Sequence, residues 1–546
     1  VASESAAGER SYNVADLVTM AVQRDGEHPA LVDGRDGRTL RWGQIEALVN
    51  VLAARLLEAG LRPGERVLIK LPTGVEWCVA LFGVLRAGGV AVPAPVDAPR
   101  YVIDHMYADS GAKYVIATPD LAVEGTDAAV TPADPAVVAD GTDATGTDGP
   151  SSPPGGSPYT PVYLRVPTEN DVSSADGGPV APVAGGEDLA VLCYTSGTSG
   201  ASRGVMLSHR ALLANVEQCA EIRPPVVSAA DRVLLALPLY HAYGLGPGLL
   251  QPTGAAATVV LAERFDPAEI VDMVERHRVT TVVGVPPMYG ALLGLGAQRL
   301  RAGLATVRLL TSGAAPLDTE TARAVTEATG LSVYEGYGLT ETAPVVTSTL
   351  VAGQAKPGSV GRPIPGVEVR LVDSDGGALP EPDETGDERG GTGLVSVRGG
   401  NLFSGYWPDG AHGPDEEGWF RTGDVGYLDP DGDLHLLDRA GDLIIVNGFN
   451  VYPHEVEKVL TELEGVREAA AVGVPNERTG EAVHAFVVLE PEATADAEEL
   501  LRHCAQRLAR FKVPDRIEFV EELPHSVTGK LARRALGARR DTKAAS

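Results

Sequence analysis

From Thr39 onward the chain alternates two hydrophobic patterns. LRWGQIEALVNVLAARLLEAG carries apolar residues at helical spacing and RVLIKLP is a short β-branched run; GVEWCVALFGVLRAG is helical again, and GVAVPAP is a second short run. Strand and helix in turn predict parallel strands joined by crossover helices. The rhythm returns in DRVLLALP, TVVLAERF, a helix through AEIVDMVERHR, then VTTVVGVPP and VRLLTSGAAP, so two α/β lobes sharing one large domain are expected. Around Arg370 the pattern changes to short alternating strands, VEVRLVD and GLVSVRG, followed by GYLDPDGDLHLLD with a turn at Asp431 and Gly432, which predicts a small β subdomain. After DRAGD, strands and helices follow in an order that gives a compact α+β unit of about 100 residues, a common domain size. The predicted fold is therefore a large α/β amino-terminal domain, residues 1–438, and a smaller α+β lid domain, residues 442–546, joined through residues 439–441.

Between Val123 and Asp188 the chain shifts to Gly, Pro, Ser, Thr, Ala and Asp, a composition that buries little, and mobile surface loops around one short strand at YTPVYLRV are expected. The 546 residues exceed what one core usually supports. A net charge of -29 argues against nucleic acid or anionic lipid as partner, because such partners demand a basic face. Lysine occurs only at Lys70, Lys113, Lys356, Lys458, Lys512, Lys530 and Lys543, so an anionic ligand must be gripped locally. Cys78, Cys193, Cys219 and Cys504 lie far apart without zinc or disulfide spacing, which fits a reducing cytoplasm. No apolar run approaches the roughly 20 residues of a membrane span. A cytoplasmic protein, monomer or homodimer, is expected.

The stretch YTSGTSGASRGV, Tyr194 to Val205, follows the buried-looking run DLAVLCY. Its glycines let backbone N–H groups converge on an anion, its hydroxyls add donors, and its place at a strand end suits a ligand. The Walker spacing fails, and alone such a segment is most often a plain loop. Other segments change the picture. In order they are LPLYHAYG from Leu237, TSGAAPL from Thr311, YEGYGLTET from Tyr334, GWFRTGDVGYLDPDG from Gly418, DRAGDLIIVNGFNVYPHEVE from Asp438, VGVPNERTGEAVHAFVV from Val472 and LPHSVTGKLARRAL from Leu523. Together they resemble the adenylate-forming superfamily, over about residues 12–537, and within it the acyl-CoA synthetases and aryl-CoA ligases.

The resemblance implies an ATP- and Mg²⁺-dependent enzyme that joins a carboxylic acid to AMP and then to coenzyme A. Thr195, Ser196, Gly197, Thr198, Ser199 and Gly200, with Arg203, would cradle the β- and γ-phosphates; Thr340 would bond the α-phosphate and Glu341 would hold Mg²⁺. Lys530 would bridge carboxylate and phosphate. Gly313, Ala314, Ala315 and Pro316, a turn expected to end a strand and open a helix, would meet adenine together with Glu335, Gly336, Tyr337 and Gly338. Asp424 would take the ribose hydroxyls, assisted by Arg439. His241 would orient the carboxylate, and Tyr243, Gly284, Val285, Met288, Gly313, Gly338 and Ala343 would line the acyl pocket. Rotation about Gly441 would withdraw Lys530 and present Gly448, Phe449 and Asn450 to the thiol arm.

Ser202 and Arg203 replace a proline and lysine common in relatives, and Gly441 replaces a charged hinge residue. Arginine keeps the charge but changes shape and reach. These departures raise the reading of an enzyme biased toward the thioester step, fed an acyl-adenylate by another enzyme. Two alternatives stand beside the synthetase: an acyl-AMP ligase that loads a carrier protein, and a nucleotide-binding protein without turnover.

Overall fold

The computed structural model describes residues 12–118, 162–172, 178–196, 202–379, 391–447, 449–476, 478–491, 493–525, 531–533 and 536. Much of the 123–188 stretch lies outside them. Its described part holds the expected strand, Val162–Leu164, and a helical turn, Glu169–Val172, that composition did not suggest. Asp171 explains that turn: Arg55 donates to it at 2.6 Å and the Thr168 N–H at 2.6 Å.

Two sheets build the large unit. In the nine-stranded sheet, Val333–Gly338, Leu309–Ser312, Thr281–Gly284, Arg232–Leu235, Thr258–Leu261 and Pro29–Asp33 run parallel. The six-stranded sheet places Val162–Leu164, Tyr114–Ala117, Arg66–Lys70, Val90–Pro93 and Leu189–Ser196 parallel. Parallel strands are covered on both faces, so they read as unbroken apolar runs such as TVVL and TVVG, buried at every residue. At the sheet edges the expected parallel order gives way: Thr39–Arg41, Val345–Ser348 and Ser202–Ser208 each return antiparallel to their neighbour.

Helix Val75–Arg86 is wedged between the sheets and is buried at every residue except Glu76 in its first turn. The Arg86 guanidinium, 2 % exposed, meets Glu46 at 2.7 Å, Asn50 at 3.0 Å and Thr19 at 2.8 Å. A buried cation is tolerable only with such partners. Helix Pro267–His277 starts where Asp266 accepts from the Ala268 and Glu269 N–H groups, with proline in its first turn. A four-stranded antiparallel sheet, Val367–Val372, Gly393–Gly399, Trp419–Leu428 and Leu434–Arg439, forms the predicted β subdomain.

From Ile444 a second core begins, built on Ile444, Val456, Leu460, Val483, Ala485, Val487 and Leu500. Its sheet pairs Val466–Asn476 with Gly480–Leu489 antiparallel and adds Arg516–Phe519 parallel. Arg533 clasps this unit to the large one: it donates to Glu457 at 2.7 Å and faces Asp438 at 3.7 Å and Asp442 at 3.5 Å. Asp438 also accepts from the His454 N–H at 3.0 Å. No described helix is long and apolar enough to cross a membrane.

Candidate active site

The carboxyl ends of strands from both sheets face the four-stranded sheet across a cleft of about 1360 Å³, floored at one end by Arg439–Asp442. Ligands of α/β proteins gather at such strand ends. Thr195 reaches it from strand Leu189–Ser196, which pairs with Ser202–Ser208 so that Thr195 lies opposite Arg203. Gly197, Thr198, Ser199, Gly200 and the side chain of Ser196 lie outside the described residues.

Strand Val333–Gly338 delivers Thr340 and Glu341 in a short turn at the cleft. Gly338 is required there by space, because a Cβ would stand 1.8 Å from the Pro344 carbonyl oxygen. The Tyr406 hydroxyl donates to Glu341 Oε1 at 2.7 Å, and the Arg203 guanidinium lies 5.5 Å from the centre of the Tyr406 ring. Burial and the charge of Glu341 push the Tyr406 phenol well above its ordinary pKa, so it stays a donor. Tyr406 is itself fixed by its neighbour Trp407, whose backbone N–H donates to the Gly204 carbonyl at 2.8 Å. Sequence reading missed Tyr406.

Asp424, 7 % exposed on strand Trp419–Leu428, accepts from the Tyr337 hydroxyl at 2.6 Å and pairs through Oδ1 with Arg439 Nε at 3.0 Å. Burial first, and Asp424 second, hold the Tyr337 phenol far above its usual range. The expected Asp424–Arg439 partnership is thus preformed, and Tyr337 joins it through its hydroxyl.

Other expectations are corrected. The turn after Ser312 does not open a helix; that helix starts at Thr319, capped by Asp318 accepting from the Thr321 N–H at 2.8 Å. Ala314 borders the cleft, whereas Ala315 and Pro316 do not. Glu335 faces inward, accepting from the Leu317 N–H at 3.3 Å, and burial pushes its carboxyl up to about 7. Ionisation is penalised in the folded state, so the stability that neutral Glu335 permits is full below the ordinary carboxyl pKa of about 4.5 and lost as pH rises through about 7. Wild type is expected to lose roughly 2 kcal/mol between about pH 5 and about pH 8 on this account. Denaturant titrations of Glu335→Gln should show that slope removed; an unchanged slope would contradict the inward carboxyl.

His241 sits at the cleft and caps helix Ala242–Leu245, its Nδ1 accepting from the Tyr243 N–H at 3.2 Å. That bond leaves Nε2 to carry the proton of the neutral ring. Tyr243, Gly336 and Gly338 also line the cleft, but Gly284, Val285, Met288, Gly313 and Ala343 do not. Tyr243 packs against Gly313, and Tyr289 against Gly284. Gly441 lines the cleft; a Cβ there meets nothing within 4 Å, and its φ is not positive, so the local backbone does not demand glycine. Phe449 and Asn450 are exposed and off the cleft, Phe449 stacked on Phe511 at 4.9 Å. Gly448 and Lys530 lie outside the described residues.

Residues 18–407 match the AMP-binding enzyme family and residues 455–530 its AMP-binding enzyme C-terminal domain. The chain is 33% identical over 526 residues to a long-chain-fatty-acid–CoA ligase of Bacillus subtilis (strain 168), covering 92% of this chain and 90% of that one. It is 36% identical over 502 residues to a feruloyl-CoA synthase of an Amycolatopsis species, covering 91% and 93%. The crystal structure of ATP-bound MatB from Rhodopseudomonas palustris superposes with a TM-score of 0.82 at 30% identity, over 97% of this chain and 99% of that one. These likenesses run through both cores and across the cleft between the strand ends and the four-stranded sheet, and on that ground the chain belongs to the AMP-binding enzyme family.

Proposed function

We propose that this chain is an AMP-forming acyl-CoA synthetase acting on an aliphatic, carbocyclic or aryl acid. The carboxylate attacks the α-phosphorus of ATP, giving an acyl-adenylate and pyrophosphate; the thiol of coenzyme A then attacks the acyl carbon, and AMP leaves. One observation carries the reading: a single cleft gathers Thr195, Thr340, Glu341 and the Asp424–Arg439 pair from distant segments. Relatives named as CoA ligases support coenzyme A, rather than a carrier protein, as acceptor.

The first step brings two anions together, so donors and cations aimed at the phosphorus supply most of the rate. Thr195 and Arg203 stand on the phosphate side, with Thr340 at the α-phosphate. Asp424 takes the ribose hydroxyls while Arg439 keeps it ionised and in place. Glu341 fits a divalent ion of the Mg²⁺ kind: Tyr406 holds Oε1, and no described residue engages Oε2. Bound there beside the phosphates, Mg²⁺ would neutralise charge with one carboxylate and waters. His241, donating from Nε2, orients the acid. Lys530 bridges carboxylate and phosphate, and rotation about residues 439–441 then brings Gly448, Phe449 and Asn450 to the thiol arm. The exposure of Phe449 and Asn450 off the cleft is in keeping with a segment that must move to act.

Incubating the enzyme with ATP, Mg²⁺, CoA and a panel of carboxylic acids, read by mass, should yield acyl-CoA and AMP in equal amounts. Absence of both with every acid overturns the proposal. Comparing that rate with CoA ligation from synthetic acyl-adenylates decides the bias raised by Ser202, Arg203 and Gly441: robust ATP-dependent turnover removes it.

A further inference from the structure

Resting on the synthetase reading, we infer that Tyr243 and Tyr289 form a closed floor to the acid site and restrict the enzyme to compact acids, either short-chain or carrying a single ring beside the carboxyl. Tyr243 follows the carboxylate-orienting His241 by two residues and lines the cleft. Its ring lies flush on Gly313, where a Cβ would come within 2.7 Å of Cζ, so nothing can pass between ring and backbone. Behind it Tyr289, 1 % exposed, donates its hydroxyl to the Thr311 carbonyl at 2.6 Å and fills the space over Gly284, where a Cβ would meet that hydroxyl at 2.8 Å. Val285 and Met288 are 3% and 4% exposed, and neither they nor Tyr289 borders the cleft.

The two phenols thus occupy the volume that an extended acyl chain would need below the carboxylate. Tyr289 is pinned at both ends, by its place on helix Pro286–Leu293 and by its hydrogen bond. Displacing it would break a part-buried hydrogen bond and leave the Thr311 carbonyl with one partner fewer. Pro93, Pro95, Tyr101 and Val102 also line the cleft, and Tyr101 is 75% exposed. The offered face of Tyr243 suits a flat ring, which stacks offset on a phenol. Similarity to long-chain ligases therefore does not carry their chain length to this enzyme.

The test is kcat/KM across butyrate, hexanoate, benzoate, dodecanoate and palmitate for wild type, Tyr243→Ala, Tyr289→Ala and Tyr289→Phe. Wild type should prefer the compact acids to palmitate by at least about 100-fold, since each methylene pressed against a full pocket is worth roughly 10-fold. Tyr243→Ala, on the cleft wall, should narrow that ratio by about 10-fold or more, and Tyr289→Ala should narrow it further where it folds. Tyr289→Phe keeps the ring and should keep the ratio. Equal use of palmitate and hexanoate by wild type, or an unchanged ratio in Tyr243→Ala, overturns the floor while leaving the synthetase reading intact. No thioester from any acid overturns both.

Discussion

Lys530→Ala is expected to lower ATP-dependent pyrophosphate release on the order of 10³-fold. The first step places a carboxylate against a polyphosphate in a protein of net charge -29, and if Lys530 bridges both anions its ammonium supplies charge that the less compact guanidinium of Arg203, on the phosphate side of the cleft, does not replace at the carboxylate. Its loss acts on the transition state and should fall on kcat more than on KM for ATP. Thioester formation from a synthetic acyl-adenylate, in which that bridge is no longer needed, should change little. Single-turnover assays of the two halves separate the outcomes. Equal loss in both would reassign Lys530 to structure or binding, and loss in neither would remove it from the chemistry.

The second large effect is expected at Asp424. Its carboxylate is shared by the Tyr337 hydroxyl at 2.6 Å and Arg439 at 3.0 Å, and Asp424→Ala strips both of their acceptor. Arg439, one-third exposed, can turn to water, but Tyr337, 9% exposed, cannot, so a loss of about 2 kcal/mol in stability is expected. If the same carboxylate takes two ribose hydroxyls, ATP affinity should fall roughly 100-fold as well, each charged hydrogen bond being worth about 1.5 kcal/mol or more. Asp424→Asn keeps an acceptor for Tyr337 and should recover most of the stability but little of the affinity. Denaturant titration and calorimetry with ATP read the two quantities independently. Weakened folding with full ATP affinity would withdraw the ribose role.

How far these residues could be read from the chain depended on the range of the physics that places them. Runs such as TVVL and TVVG announce strands covered on both faces, because a fully buried strand has no polar face to alternate with. The antiparallel edges were not legible: pairing direction depends on which segment returns to the rim. Glu335 shows a local signal overlooked. Period-two alternation in VYEGYG puts Val333, Glu335 and Tyr337 on the buried face and Gly336 and Gly338 on the other, as the burial pattern bears out, although Tyr337 still reaches the cleft. Tyr406 lies 65 residues from the Glu341 it bonds, and no spacing rule spans that distance. The tyrosine floor was hidden for a similar reason: glycine at 284 and 313 reads as room for a ligand until the side chain that takes the room is known.

The Arg533 clasp bears on how fast the two units can change partners. A swing that pivots after Asp438 must part that carboxylate, 4% exposed, from both Arg533 and the His454 N–H. Dissolved ions reach such a sequestered pair poorly, so the exchange rate should be nearly indifferent to ionic strength, unlike that of a hinge latched by surface charges.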